Sequence, residues 1–252
     1  MGRIITIVNQ KGGVGKTTTS VNLAASLSIY EKKTLLVDLD PQGNATSGIG
    51  IDKAKLDMHT YDIMLDKENV VKAIIKTDLE NLDIIGSNID LIGAEIDLVR
   101  EFAREQKLKD ALSKIQNQYE YILIDCPPSL GLLTVNALTA CTDVIIPIQC
   151  EYYALEGVSQ LLNTIRLIQK NLNPNINILG VLLTMFDKRL NLSNQVAIEV
   201  KNYFKEKVFK SVIVRNVKLS EAPSFGKTIL HYDLKSVGAQ NYLHLAAEVI
   251  GR

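Results

Sequence analysis

The sequence predicts an α/β fold: a mostly parallel, twisted sheet with helices on both faces. Three observations lead there. Short β-branched runs alternate with stretches of helical periodicity over the 252 residues. Most of those runs are apolar throughout rather than alternating, the mark of strands covered on both sides. The first run also passes directly into a glycine-rich loop that opens a helical pattern.

Taken in order, Ile4-Ile5-Thr6-Ile7-Val8 is the first strand, followed by helix over 17–28 and a strand over 34–38. Residues 52–76 give the faintest pattern and are expected to form a helical insertion. A strand over 82–85 precedes an interrupted helical stretch over 89–115, and Tyr121-Ile122-Leu123-Ile124 leads to Asp125. Helix 132–140 and strand 143–147 come next. Around helix 155–171, Leu161, Leu162, Ile165, Ile168 and Leu172 recur at helical spacing, so this stripe belongs to the core. Strand 176–183, helix 193–204, strand 211–214 and a last helix over 238–250 at the sheet end complete the pattern.

At 46% hydrophobic content the chain can bury one substantial core, so residues 1–252 are expected to form a single domain. No basic leader precedes the first strand, and no apolar run approaches the roughly 20 residues that span a bilayer. Cys126, Cys141 and Cys150 sit in or beside apolar segments without C-x-x-C spacing. That usage fits reduced, buried thiols in a cytoplasmic protein. The formal net charge is +0, yet residues 185–235 hold ten Lys/Arg and five Asp/Glu. That stretch is therefore +5 and the remainder −5, and local field rather than total charge steers a polyanion.

The loop is Asn9-Gln10-Lys11-Gly12-Gly13-Val14-Gly15-Lys16-Thr17-Thr18. Strand, glycine loop and helix in that order make a cradle for nucleotide phosphates. Glycine lets successive N–H groups turn inward on an anion. Lys16 can reach the terminal phosphates and the Thr17 hydroxyl can sit on Mg²⁺. The usual pattern begins with glycine where this chain has Gln10, and it adds a second lysine, Lys11. A lysine pointing away from its own nucleotide makes sense if it reaches phosphates held by a second copy, as an arginine finger does. The plain alternative is a solvated surface lysine.

Asp38 and Asp40 end the second strand, at the carboxyl edge where open α/β sheets bind ligands. Asp125 ends a buried strand, the arrangement that lifts a carboxylate toward a metal's waters. A turn before Pro41 and a strand stop before Pro127-Pro128-Ser129 are the structural readings of the same residues.

Together these segments resemble the deviant Walker-A ATPases: ParA/Soj partition proteins, MinD and the nitrogenase iron protein. The loop with two lysines carries the resemblance. Leu35-Leu36-Val37-Asp38-Leu39-Asp40-Pro41-Gln42-Gly43-Asn44-Ala45-Thr46, Ile124-Asp125-Cys126-Pro127-Pro128-Ser129, Gln149-Cys150-Glu151-Tyr152-Tyr153-Ala154-Leu155-Glu156-Gly157 and Leu219-Ser220-Glu221-Ala222-Pro223-Ser224 look like the ParA/Soj versions. The resemblance covers essentially the whole chain and implies a P-loop NTPase-like fold. It implies ATP and Mg²⁺ as cofactors, and an ATP-bound homodimer in which Lys11 contacts the partner's phosphates. It gives Asp40 the attacking water and Asp38, with Asp125, support of the magnesium shell, the carboxylates acting through water. It places adenine near Met185, Val214 and Asn216, although the family commonly has Pro where this chain has Val214. It makes Arg189, Arg215 and Lys218 candidates for contacts to double-stranded DNA without sequence preference; relatives commonly have Arg at the last. A ParB-like (Spo0J-like) centromere-binding protein would stimulate hydrolysis, and the protein would associate with the nucleoid.

Three other functions use related parts. A MinD-like membrane-positioning ATPase needs a basic amphipathic C-terminal helix, and this chain ends in a short helix with one terminal Arg252. An iron-protein reductase needs a cysteine at the dimer axis, but Cys126 and Cys150 lie in motifs that partition proteins share. For a metabolic ligase or synthetase the sequence offers no second substrate site.

Overall fold

The computed structural model describes residues 2–152, 154–155 and 157–252. Among them, eight strands form one sheet: β1 Arg3–Ile7, β2 Thr34–Asp38, β3 Ile74–Lys76, β4 Leu82–Ile85, β5 Tyr121–Asp125, β6 Asp143–Gln149, β7 Asn177–Phe186 and β8 Val208–Val214. Their order across the sheet is β3-β4-β2-β5-β1-β6-β7-β8. All pairs are parallel except β3 with β4, so a short antiparallel edge closes one side. The expected α/β architecture is the observed one.

The apolar strands divide their side chains between two cores. Ile4, Leu35, Val37, Ile122 and Ile124 face one, while Ile5, Ile7, Leu36 and Leu123 face the other. The first is covered by helices α3 Thr60–Leu65, α4 Leu91–Asp97, α5 Lys107–Ser113, α6 Leu132–Ala140, α7 Val158–Asn171 and α8 Asn191–Phe204. The second lies under α1 Lys16–Ile29, α9 Val217–Glu221, α10 Ile229–Asp233 and α11 Val237–Ile250, with α2 Asn44–Gly48 contributing Ala45. Period two on a strand thus sends alternate residues to opposite layers, and no central strand can face water.

Several sequence readings are corrected in detail. Residues 52–76 hold α3 but also two 3₁₀ turns and β3, because no helical stripe long enough to bury one face runs through them. The helical stretch 89–115, by contrast, is broken as its reading allowed, into α4, two 3₁₀ turns and α5, with Ala103 at φ 51 in the left-handed region. The strands read as 176–183 and 211–214 are longer, reaching Phe186 and starting at Val208. Helices α9 and α10 have five residues each and left no readable period.

The last helix is committed to the interior. Ala239, Tyr242, Leu245, Ala246 and Val249 are buried against the second core, which leaves α11 no apolar face for a bilayer. No helix among the described residues is long and apolar enough to cross a membrane. All three thiols are buried, and burial pushes Cys150 up to about 11 and Cys141 up to about 12. They are inert core groups, unlike a cysteine poised at a surface to hold a cluster.

Candidate nucleotide-binding site

The loop joins the end of β1 to α1, on the sheet edge where β2 and β5 also end. Gly13 and Gly15 have φ of 74 and 87, which residues with a Cβ rarely adopt. A Cβ built on Gly12 or Gly13 would meet nothing within 4 Å, so these two glycines border open space. Asn9 fixes its base: the Asn9 amide donates to the Pro147 carbonyl at 2.8 Å, and its Oδ1 accepts from the Lys11 N–H at 3.0 Å.

The two loop lysines part company. Lys16 is only 7% exposed, and its ammonium donates to the Lys11 carbonyl at 3.0 Å. Burial lowers its pKa, while the negative charges of Asp125 and Asp40 oppose the shift. The Lys11 side chain leaves the loop instead. Its ammonium stands 3.7 Å from Glu151 Oε2, beside an open cleft of about 730 Å³ lined by Gln10, Lys11, Pro128, Ser129, Leu130, Gly157 and Gln160. Of the 149–157 motif, Tyr153 and Glu156 lie outside the described residues.

Asp38 and Asp125 occupy facing positions on the β2–β5 ladder, both fully buried. Burial, followed by the charge of Asp38, pushes Asp125 up, and hydrogen bonding from Ser20 and Thr17 pulls it back only in part. The Ser20 hydroxyl donates to Asp125 Oδ1 at 2.8 Å, whereas Oδ2 is buried without a hydrogen-bond partner of ordinary length. Asp38 is better satisfied. It accepts from the Asp40 N–H at 3.1 Å, the Thr46 N–H at 2.8 Å and the Thr46 hydroxyl at 2.7 Å, yet burial still raises its pKa. Asp40, 7% exposed, accepts the Gln42 N–H at 2.9 Å.

A cavity of about 330 Å³ adjoins the loop through Gly15 and Thr18. Met185, Val214 and Asn216, the three residues named for the base, line it together with Arg215. Met185 holds φ 50, an unusual conformation of the kind that gathers at functional sites. Thr184 ties this wall to the loop by donating to the Val14 carbonyl at 2.8 Å. Asn216 Oδ1 accepts the Lys218 N–H at 2.9 Å and caps α9. Val214 donates its N–H to Asn241 Oδ1 at 3.2 Å, a bond that a proline at this position could not make.

The basic candidates lie around the same edge. Arg189, its side chain 82% exposed, makes a bidentate pair with Asp187 at 3.0 and 2.7 Å. Lys218 pairs with Asp233, and Arg215 is exposed on the cavity rim. Sequence reasoning missed Ser20 and Asn241, and gave no role to Thr46, which ends a quoted motif, or to Thr184, which opens the segment by Met185. Ser20 left one signal: it stands four residues after Lys16, hence on the same face of α1. The other three reach the site only through the tertiary fold.

A family model described as an AAA domain matches residues 2–178. The Soj sporulation initiation inhibitor of Bacillus subtilis is 62% identical over 99% of this chain and 98% of its own length. The chromosome partitioning protein ParA of Myxococcus xanthus is 54% identical over 100% of this chain and 89% of its own. The chain belongs to the ParA/Soj family of chromosome-partitioning ATPases. Among solved structures, a Mycobacterium smegmatis protein named cobyrinic acid a,c-diamide synthase, with ADP and magnesium, superposes at TM-score 0.88. It is 38% identical over 100% of this chain and 97% of that one. The ParA/Soj relatives match at much higher identity over nearly the same length, so the synthase name does not displace the family.

Proposed function

We propose that this ParA/Soj member is an ATP-driven DNA-partitioning switch, with residues 1–252 acting as one unit. ATP is the substrate, and its binding joins two copies face to face. The joined pair binds double-stranded DNA without sequence preference, on the nucleoid. Hydrolysis, accelerated by a ParB-like centromere-binding protein, removes the bridging phosphate and ends both associations.

The observation that carries the reading is the division of labour between the loop lysines. Lys16 is inside the cradle, while Lys11 projects to an open cleft, its ammonium 3.7 Å from Glu151. Lys11 is assigned to the phosphates of the second copy. Gly12, Gly13, Val14, Gly15, Lys16, Thr17 and Thr18 would hold the ATP phosphates, and Met185, Val214 and Asn216 the base. The buried, unpartnered Oδ2 of Asp125 fits an acceptor for magnesium's waters, with the Thr17 hydroxyl as the direct ligand. When bound, magnesium neutralises charge on the β- and γ-phosphate oxygens. Asp38, its oxygens taken by Thr46 and Asp40, supports that shell by fixing the strand end. Asp40 orients the attacking water. Arg189, Arg215 and Lys218 are assigned to DNA phosphates.

The test is size-exclusion chromatography with light scattering, for the wild type and Asp40→Ala, with ADP or ATP and with or without duplex DNA. Dimers that form only with ATP and bind DNA only as dimers are the expected result. Monomers that bind DNA equally with either nucleotide would refute the switch.

A further inference from the structure

Helix α4 is apolar on both sides. Leu91, Ala94 and Leu98 are 0% exposed, packed into the first core. On the other side Ile89 is 59%, Ile92 48%, Ile96 71% and Val99 57% exposed, and Phe102, just beyond, is 94% exposed. Intervals of three, four and three residues put 89, 92, 96 and 99 on one line of the helix and its adjoining turns. A helix apolar all round is ordinarily buried, and a contiguous apolar patch on a surface marks an interaction site. Isolated exposed apolar residues would need no explanation; a row of this length does.

Three carboxylates border the row. The Tyr61 hydroxyl donates to Asp97 Oδ2 at 2.8 Å, and Asp62 and Asp90 approach His59 to 3.4 and 3.6 Å. Among the described residues none of the three forms an ion pair with a lysine or arginine. Across residues 87–105 the sequence carries five acidic and two basic residues. Two copies meeting through this face would set like charges together, and an anionic lipid surface would meet the same repulsion.

We infer that α4 and the turn after it are a docking surface for a basic amphipathic helix of another protein. The apolar side of that helix covers Ile89, Ile92, Ile96 and Val99, and its lysines or arginines meet Asp62, Asp90 and Asp97. The row from 89 to 99 is about 15 Å long at 1.5 Å per residue, which calls for an occupant of about three turns. This is recognition of one amphipathic helix by the exposed face of another, with charge setting orientation. It stands apart from the nucleotide switch, and neither depends on the other.

The probe is a fluorescein-labelled 18-residue peptide with leucine at heptad positions a and d and lysine elsewhere. Anisotropy titrations into the full chain compare wild type with Ile96→Ser and Asp90→Asn, each first checked for an unchanged melting temperature. Saturable one-to-one binding is expected, weakened at least tenfold in Ile96→Ser and severalfold in Asp90→Asn, and absent for the peptide with glutamate in place of lysine. Equal binding by Ile96→Ser, equal binding of the glutamate peptide, or no binding by the wild type would overturn the inference. So would wild-type self-association, or pelleting with anionic phosphatidylglycerol vesicles, that Ile96→Ser abolishes.

Discussion

The ammonium of Lys16 donates to the carbonyl oxygen of Lys11 at 3.0 Å, so the backbone of one loop lysine holds the side chain of the other. This bond keeps a buried cation inside an anion cradle before any phosphate arrives. Lys16→Ala is expected to weaken ATP binding roughly 100-fold, the scale of a lost charge-assisted hydrogen bond. Titration with a fluorescent ATP analogue measures it, and near wild-type affinity would contradict the assignment.

Asp40 is positioned by the Gln42 N–H rather than by a cation. Asp40→Ala is expected to retain the ATP-dependent dimer while phosphate release slows about 10²-fold, as for loss of a general base. Wild-type turnover in that variant would remove Asp40 from the reaction.

Arg189 is engaged by Asp187 on the same loop, and the carboxyl is held down to about 2 by hydrogen bonds from the Arg189 side chain and N–H. Asp187→Ala frees the guanidinium. DNA affinity is expected to rise and its log–log salt dependence to steepen. Arg189→Ala is expected to flatten that slope by about 0.9, the release of one counterion. Unchanged slopes in both variants would move the DNA surface elsewhere.

Asn241 anchors the N–H of Val214 at the rim of the cavity beside the loop. Asn241→Ala leaves that donor without its partner. The expected costs are about 1 kcal/mol in urea unfolding and a few-fold weaker nucleotide binding. Nucleotide affinity matching the wild type would detach this wall from the site.

Asp143 provides the pH test. Burial pushes its carboxyl up, but hydrogen bonds from Arg3, Thr142 and Asn177 and the charge of Arg3 outweigh burial and hold it below 3.8. A carboxyl depressed on folding stabilises above its unfolded pKa, and that contribution fades as pH falls through the folded value. Asp143→Asn is expected to destabilise by about 1–3 kcal/mol at pH 7, through lost charge-assisted bonds. In urea melts the gap should narrow as pH falls below the unfolded carboxylate value and close once it passes the lower folded one.

What was legible in the sequence was whatever a short-range pattern encodes. Ile4-Ile5-Thr6-Ile7-Val8 running into Lys11 and Lys16 specifies a strand, a loop and a helix within eighteen residues. Asp38 and Asp125 could be read because each ends an apolar run, and the fold pairs them across one ladder. Ile74–Lys76 could not be read: three residues form a strand only because β4 offers an edge. The roles of Thr46 and Asn241 escaped for a similar reason. Each is an ordinary polar residue until β2 ends beside one and β8 ends beside the other. Helix α4 was legible as part of the helical stretch 89–115, but its outward apolar row was not, since residues apolar on two sides show no single face.

Asp38 and Asp125 stand opposite one another on a single rung at the centre of the sheet. Backbone hydrogen bonds on both flanks fix that rung, so the carboxyls cannot drift apart unless the middle strands unzip. The fold therefore holds two buried carboxyls, both pushed up by burial and Asp125 further by the charge of Asp38, at the place where a divalent cation would favour their ionised forms. Occupancy and robustness are coupled in consequence: the copy that has just released its contents is the one heat or a protease can open most readily.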